Sequence, residues 1–139
     1  LIEICSRKLN VSLLWAKKYE ILGDSPELKQ VFLNIIENAV THSNSKKAVV
    51  VKLGSVKSLI TFSVEDFGIG IPNENIPLLT KRFYRVDEAR SRNSGNTGLG
   101  LSIVKHIVNR HNAELDISSI EGKGTKFSII FNKDKPSLL

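Results

Sequence analysis

Leu28, Val31, Phe32, Ile35, Ile36 and Ala39 recur at spacings of three and four residues, the pattern of a helix that buries one face. Directly ahead of them stands Asp24-Ser25-Pro26-Glu27, a helix start. Asp or Ser can cap the free N–H groups, Pro is tolerated in the first turn, and Glu meets the positive end of the dipole. The spacing predicts a helix to about Thr41. Such a helix is stable only when another layer covers its apolar face, so the rest of the chain must supply that layer.

The candidates for that layer are β-type runs. Ala48–Leu53 and Leu59–Glu65 are expected to pair through a turn at Gly54-Ser55, and Leu115–Ile120 and Thr125–Phe131 through Glu121-Gly122-Lys123-Gly124. A second helix is expected over Gly98–His111, where Leu101, Ile103, Val104, Ile107 and Val108 share a face and Asn112 is the expected C-cap. Asn73–Phe83 reads as short helices, and Arg85–Thr97 as a polar, mobile loop. Leu1–Lys8 reads as a short helix, Ser12–Leu22 as a strand pair, and Asn132–Leu139 as a frayed tail. Helices and hairpins alternate irregularly with no repeat and no internal boundary. The expectation is one α+β domain over residues 1–139, a mixed sheet covered on one face by helices.

Composition narrows the function. At 41% hydrophobic and 24% charged the chain has a real core, which excludes a disordered tail. Apolar runs stop at about four residues, as in Ala48–Val51, far below the ~20 that cross a bilayer. A single cysteine, Cys5, excludes an internal disulfide and a multi-thiolate metal site, and fits a cytoplasmic setting. The net charge of +6 raises nucleic acid as a partner. Yet six of the twenty cations, Lys81, Arg82, Arg85, Arg90, Arg92 and Lys105, fall in one short stretch, and only two Tyr and one Trp could stack on bases. A local anion site such as a nucleotide phosphate explains the clustering better, so no nucleic acid is expected.

Three constellations carry chemistry. Asn34 and Asn38 lie one turn apart on the same helix face; they either cap nearby loops or offer a neutral oxygen to Mg²⁺, which takes few protein ligands when phosphates supply the rest. Asp66-x-Gly68-x-Gly70 follows a strand, where a carboxylate can accept from an amine while bare backbone approaches a flat ring; many turns after strands look the same. Gly95-x-x-Gly98-x-Gly100 opens a helix, so amide N–H groups can converge on a phosphate. It is not a P-loop, lacking Gly-Lys-Ser/Thr, nor a dinucleotide fingerprint, lacking a βαβ unit.

The order of these parts resembles one family. Asn34-Ile-Ile-Glu-Asn38-Ala-Val-Thr-His-Ser43, Asp66-Phe-Gly-Ile-Gly70-Ile-Pro72, Arg82-Phe-Tyr-Arg-Val-Asp87 and Gly95-Asn-Thr-Gly-Leu-Gly-Leu-Ser-Ile-Val-Lys105 are similar to the N, G1, F and G2 boxes of the sensor histidine kinase catalytic domain. Gly122-Lys-Gly124-Thr125-x-Phe127 resembles its final glycine motif, and all five occur in order across about residues 24–131. The segment Leu79–Arg92 looks most like phosphate-regulon sensor kinases. The resemblance implies the Bergerat ATP-binding fold, a two-layer α/β sandwich with a mixed, mostly antiparallel sheet.

It also implies ATP and Mg²⁺ as cofactors. Asp66 would take the adenine amino group with Gly68, Gly70 and Ile71 beside the ring. Asn38 would hold Mg²⁺, with Asn34 facing the same pocket, and His42 would partly substitute for a missing phosphate cation. Arg85 would reach the terminal phosphate, and Gly95, Thr97, Gly98, Leu99, Gly100 and Leu101 would surround the phosphates. Phe83, Lys105 and Thr125 would complete the nucleotide site, and Glu37 would assist the acceptor as a base. The catalytic group on this reading is Glu37, Asn38 and Arg85.

Departures are informative. Thr41 stands where many members have Lys, and Thr80 replaces the first Phe of the F box. Related hydrolysing ATPases have a water-activating Glu where this chain has Asn34, which favours transfer to a protein nucleophile. His42, His106 and His111 are followed by Ser, Ile and Asn, so none sits in a His-Glu/Asp acceptor motif; each is expected at a helix end or the surface. The resemblance therefore implies a catalytic fragment. Its partners would be a dimerisation and histidine phosphotransfer domain of the same kinase and a response regulator. The full-length protein would be a membrane-anchored homodimer, with no membrane contact by this domain. The alternative is an ATP switch of the same fold that regulates a partner.

Overall fold

The computed structural model describes residues 11–14, 18–43, 46–86 and 98–135. The elements run β1 (Val11–Leu14), α1 (Ser25–His42), β2 (Val49–Val56), β3 (Leu59–Glu65), a short 3₁₀ helix (Asn73–Leu78), α2 (Gly100–Arg110), β4 (Glu114–Ile120) and β5 (Gly124–Asn132). The five strands form one sheet in the order β1-β2-β3-β5-β4. β1 runs parallel to β2, and every other pairing is antiparallel. This is the mixed, mostly antiparallel α+β sheet expected from the sequence.

Helix α1 starts where the sequence places it. The Asp24 side chain accepts from the Glu27 N–H at 2.9 Å, and Pro26 sits in the first turn. Leu28, Val31, Ile35, Ile36 and Ala39 form its buried face. On α2 the buried face is Val104, Ile107 and Val108. Both helices bury these faces against the alternating inward residues of the sheet: Val49 and Val51, Ile60, Phe62 and Val64, and Phe127, Ile129 and Phe131. Phe32 of α1 packs against Phe62 with the rings tilted by 40° and their centroids 4.4 Å apart, and meets Phe131 edge-on at 6.4 Å. The opposite sheet face carries Lys52, Thr61, Ser63, Glu65, Lys126 and Ser128, and Lys52 pairs loosely with Glu65 at 3.9 Å. One face is apolar, while the other mixes these polar residues with Val50 and Ile130.

Several boundaries differ from the sequence expectation. Gly54 and Ser55 are not a turn; they lie inside β2, paired with Thr61 and Ile60. The turn is Lys57-Ser58, closed by the Val56–Leu59 pair, with Lys57 at φ +54°. Pairing along the whole of β3 needs a longer β2, and that ladder outweighs the local turn preference of Gly-Ser. The expected strand pair over Ser12–Leu22 is also not formed. Val11–Leu14 pairs with β2 instead, while Lys18–Leu22 is irregular and packs Tyr19 and Ile21 on the core. Asn112 is one residue beyond the cap: His111 caps α2, and Asn112 takes the left-handed conformation at φ +50° as Ala113 N–H returns to the Val108 carbonyl. Asn132, expected to begin the frayed tail, closes β5. The expected helix at Leu1–Lys8 and the end of the tail, 136–139, lie outside the described residues.

His111 is the largest departure among the histidines. It is at a helix end, as expected, but buried at 4% exposure. Asp24 N–H donates to its Nε2 at 3.0 Å, so Nε2 is the acceptor and Nδ1–H donates to the Ile107 carbonyl at 2.8 Å. Glu27, beside it, pairs with Arg110. The ring thus joins the entry to α1 with the exit from α2, and a Cβ on Gly23 would lie 2.7 Å from it. His42 and His106 are exposed, as expected.

Candidate functional site

The Asp-x-Gly-x-Gly loop leaves the end of β3 and is fastened to the β4–β5 hairpin by three hydrogen bonds. Asp66 N–H donates to the Thr125 carbonyl at 2.9 Å, Gly122 N–H to the Ile69 carbonyl at 2.7 Å, and Ile71 N–H to Ser119 Oγ at 2.8 Å. Glycine is required along this seam by the chain itself. A Cβ on Gly68 would collide with the His42 carbonyl at the end of α1, and one on Gly70, at φ +72°, with the Ile120 carbonyl. Gly124, at φ +132°, abuts the Asp66 carbonyl. The loop is therefore held between α1 and the hairpin.

This places Asp66 at 4% exposure with its Oδ1 accepting from Gly68 N–H at 2.9 Å. Burial pushes the carboxyl above its ordinary range. Backbone hydrogen bonding from Gly68 and Thr125 and the neighbouring His42 pull it back in part, and Glu65 adds to the rise. A buried carboxylate with unused acceptor capacity is suited to take an N–H donor from a ligand. Thr125 is likewise buried, its Oγ1 2.8 Å from Ser119 Oγ.

A second group gathers where α1 meets the start of α2. Asn34 Nδ2 donates to the Gly100 carbonyl at 3.4 Å, a long bond that brings the two helices' motifs together. Phe83 N–H donates to the Gly98 carbonyl at 3.1 Å. Gly98 is at φ +71°, and a Cβ there would press on the Phe83 backbone at 3.1 Å. Phe83 takes φ +63°, uncommon for an aromatic residue, and its ring is 71% exposed. Gly100 differs from the others: among the described residues no atom lies within 4 Å of a Cβ built on it. Packing among the described residues gives no reason for glycine there.

Asn38 lies on α1 between the two groups, half-buried, and Glu37 beside it is exposed. From Asn34 to His42 the helix advances about 12 Å at ~1.5 Å per residue. The Asp66 loop thus meets α1 at its C-terminal end, beside the His42 backbone, with Gly68, Gly70, Ile71 and Thr125, while Asn34, Phe83, Gly98 and Gly100 gather against the middle of the helix. Leu99 accepts from Ser102 Oγ at 2.8 Å and Leu101 packs on the core. Arg85 is half-buried, and Lys105 is exposed on α2. Gly95, Thr97 and most of the expected loop lie outside the described residues.

Ser119 was not singled out by the sequence. It lies on the inward side of β4, where an alternating strand pattern makes serine look like a solvated position. Among the described residues no cluster of three or more His, Cys, Asp or Glu could bind a metal unaided, and no helix is long and apolar enough to cross a membrane. The Asn38 amide offers a hard, neutral oxygen, a donor that fits Mg²⁺ when phosphate oxygens complete the shell.

Residues 23–135 match the family model described as histidine kinase-, DNA gyrase B-, and HSP90-like ATPase. The phosphate regulon sensor protein PhoR of Pseudomonas aeruginosa is 41% identical over 125 residues, 90% of this chain and 28% of that protein. The sensor protein kinase WalK of Staphylococcus haemolyticus is 44% identical over 108 residues, 76% of this chain and 18% of that protein. Among solved structures, the mycobacterial sensor histidine kinase MprB superposes with a TM-score of 0.74 at 27% identity, covering 93% of this chain and 83% of that one. The chain spans about a quarter or less of the length of the curated relatives it matches.

Proposed function

Because this chain belongs to the histidine kinase-, DNA gyrase B- and HSP90-like ATPase family, we propose that it is the ATP-binding catalytic domain of a sensor histidine kinase, positioning Mg-ATP for transfer of the γ-phosphoryl group to a histidine on a separate domain. The observation that carries the reading is the pairing of a buried Asp66 carboxyl at the C-terminal end of α1 with Gly100 against the middle of that helix, where among the described residues the space beside its Cα is open. Base and phosphates of one extended nucleotide would span that distance. Asp66 accepts from the adenine amino group, which a guanine O6 cannot replace. The amides at Gly98 and Gly100 meet the phosphates at the positive end of α2.

Asn38 would hold Mg²⁺ through its amide oxygen, and that ion would supply positive charge against the phosphates. Asn34 holds the start of α2 against α1 through the Gly100 carbonyl. Arg85 reaches the terminal phosphate, Lys105 adds positive charge along α2, and Phe83 holds Gly98 through its backbone N–H. Glu37, exposed next to Asn38, faces the incoming acceptor and takes its proton. His42 lends charge beside Asp66. With Asn34 where a hydrolytic carboxylate would stand, the donor site favours a protein nucleophile over water. The partners are a dimerising helical hairpin that carries the acceptor and a response regulator; the whole protein is a homodimer.

The test uses γ-radiolabelled ATP, this chain, and the histidine-bearing hairpin of a sensor kinase relative supplied in trans. Label should appear on the hairpin as an acid-labile, base-stable phosphohistidine and vanish when the hairpin lacks its histidine. Transfer is slower than in a tethered protein because the effective concentration is low. Label on this chain alone would show the acceptor assignment to be wrong.

A further inference from the structure

The Ser119 side chain, on β4, bonds both to the loop that carries Asp66 and to the start of β5 at the nucleobase end of the site. Its Oγ accepts from the Ile71 N–H at 2.8 Å, where the Asp66 loop ends. It lies 2.9 Å from the Gly124 carbonyl and 2.8 Å from Thr125 Oγ1, where β5 begins. Gly124 is in turn pressed against the Asp66 carbonyl, and Thr125 receives the Asp66 N–H. The hydroxyl therefore closes a ring of contacts whose opposite side is Asp66 itself.

The proton count settles the directions within this ring. A carbonyl only accepts, so the single Ser119 hydrogen goes to Gly124. Thr125 must then donate its own hydroxyl hydrogen to Ser119. With Ile71 N–H and Thr125 O–H accepted and one bond donated, Ser119 is saturated. Thr125 Oγ1 is left with lone pairs only, the same polarity as the Asp66 carboxylate beside it.

We propose that Ser119 is a positioning residue for nucleobase recognition, joining Ile71, Gly124 and Thr125 so that Asp66 and Thr125 both present acceptors to a purine bearing an amino group. The proposal rests on the adenine-nucleotide reading above and adds the residue that sets its selectivity. Ser119 does not touch the base. Its loss leaves Ile71 N–H and the Thr125 hydroxyl to find other partners, so the Asp66 loop shifts against β5 and Thr125 is free to turn its hydrogen toward the ligand.

The experiment compares the 139-residue chain with Ser119→Thr, which keeps the hydroxyl, and Ser119→Val, which has the same shape as Thr without it. ATP and GTP affinities are measured by calorimetry with and without Mg²⁺, alongside thermal melts. Ser119→Val should bind ATP about tenfold more weakly while GTP affinity stays near the wild-type value. The ATP-to-GTP ratio should fall accordingly, the Mg²⁺ enhancement should persist, and Ser119→Thr should restore the ratio. A Ser119→Val chain with the wild-type ratio, or one that loses both nucleotides equally, overturns the proposal. So does one that no longer melts cooperatively, because the hydroxyl would then hold the fold rather than aim the site. Should the wild-type chain itself show no preference for ATP, the nucleotide reading fails and this inference with it; an intact wild-type preference with indifferent variants sinks only the role of Ser119.

Discussion

Gly100→Ala separates what the protein needs from what its ligand needs. Gly100 is the first residue of α2, and among the described residues nothing lies within 4 Å of the added methyl group. Alanine restricts the unfolded chain and favours the helix, a gain of about 0.4–1 kcal/mol where no strain opposes it. For a domain of this size that is a rise of about 1–4 °C in Tm. Nucleotide binding should move the other way. A methyl group in the space reserved for the phosphates denies one amide its charge-assisted hydrogen bond, about 1.5–3 kcal/mol, or roughly tenfold to 150-fold in Kd. Calorimetric Kd for ATP and a thermal melt on the same preparation read both effects. A variant that is more stable and binds ATP as well as wild type would refute the assignment of Gly100 to the phosphates. One that is destabilised would mean the space is not open.

Other substitutions divide the site further. Asp66→Asn should cost about 1.5–3 kcal/mol in ATP affinity, since a charge-assisted bond to the amino group is lost. The buried Asp66 carboxyl is raised in the folded chain, so the stabilisation it gives is present at acid pH and is lost as pH rises through its folded value. At neutral pH the free protein bears the cost of the buried charge, and Asp66→Asn should melt higher there without nucleotide. ATP requires the ionised form, so wild-type affinity should fall on acidification from a pH above the ordinary carboxylate range, and Asp66→Asn should lack that titration. Asn38→Ala should abolish the Mg²⁺-dependent gain in nucleotide affinity while adenosine binding survives; superimposed Mg²⁺ titrations would make Asn38 structural. His111→Ala should destabilise by on the order of 2–3 kcal/mol, read by urea unfolding, because Asp24 N–H and the Ile107 carbonyl both lose a buried partner.

Helix α1 was legible in the sequence because its cap, its proline and its apolar spacing all agree. The β4–β5 hairpin was legible for the same reason, with alternation running into a glycine-marked turn. The β2–β3 turn was not, since Gly54-Ser55 carries turn chemistry but lies where cross-strand pairing with Thr61 and Ile60 decides. The parallel pairing of β1 with β2 depends on a partner far along the chain, which a local pattern does not encode. Site residues read out as types more readily than as roles. Gly68 and Gly70 were expected to admit a flat ring, yet both are crowded by carbonyls of the chain itself, whereas among the described residues Gly100 faces open space. Sequence shows that a glycine is needed and not what stands against it. Ser119 and His111 went unnoticed as polar anchors because their partners lie in other elements.

The central claim is that one adenine nucleotide spans the C-terminal half of α1 from Asp66 to Gly100, and amide chemical shifts test it most directly. A ¹⁵N-labelled sample titrated with the non-hydrolysable triphosphate AMP-PNP and Mg²⁺ should show its largest shifts at the amides of Asn38, Gly68, Gly98, Gly100 and Thr125, all saturating with one dissociation constant. Lys52, Thr61 and Ser128 on the polar sheet face should stay unmoved. Shifts confined to that face, or separate constants for the Asp66 and Gly100 ends, would contradict the account.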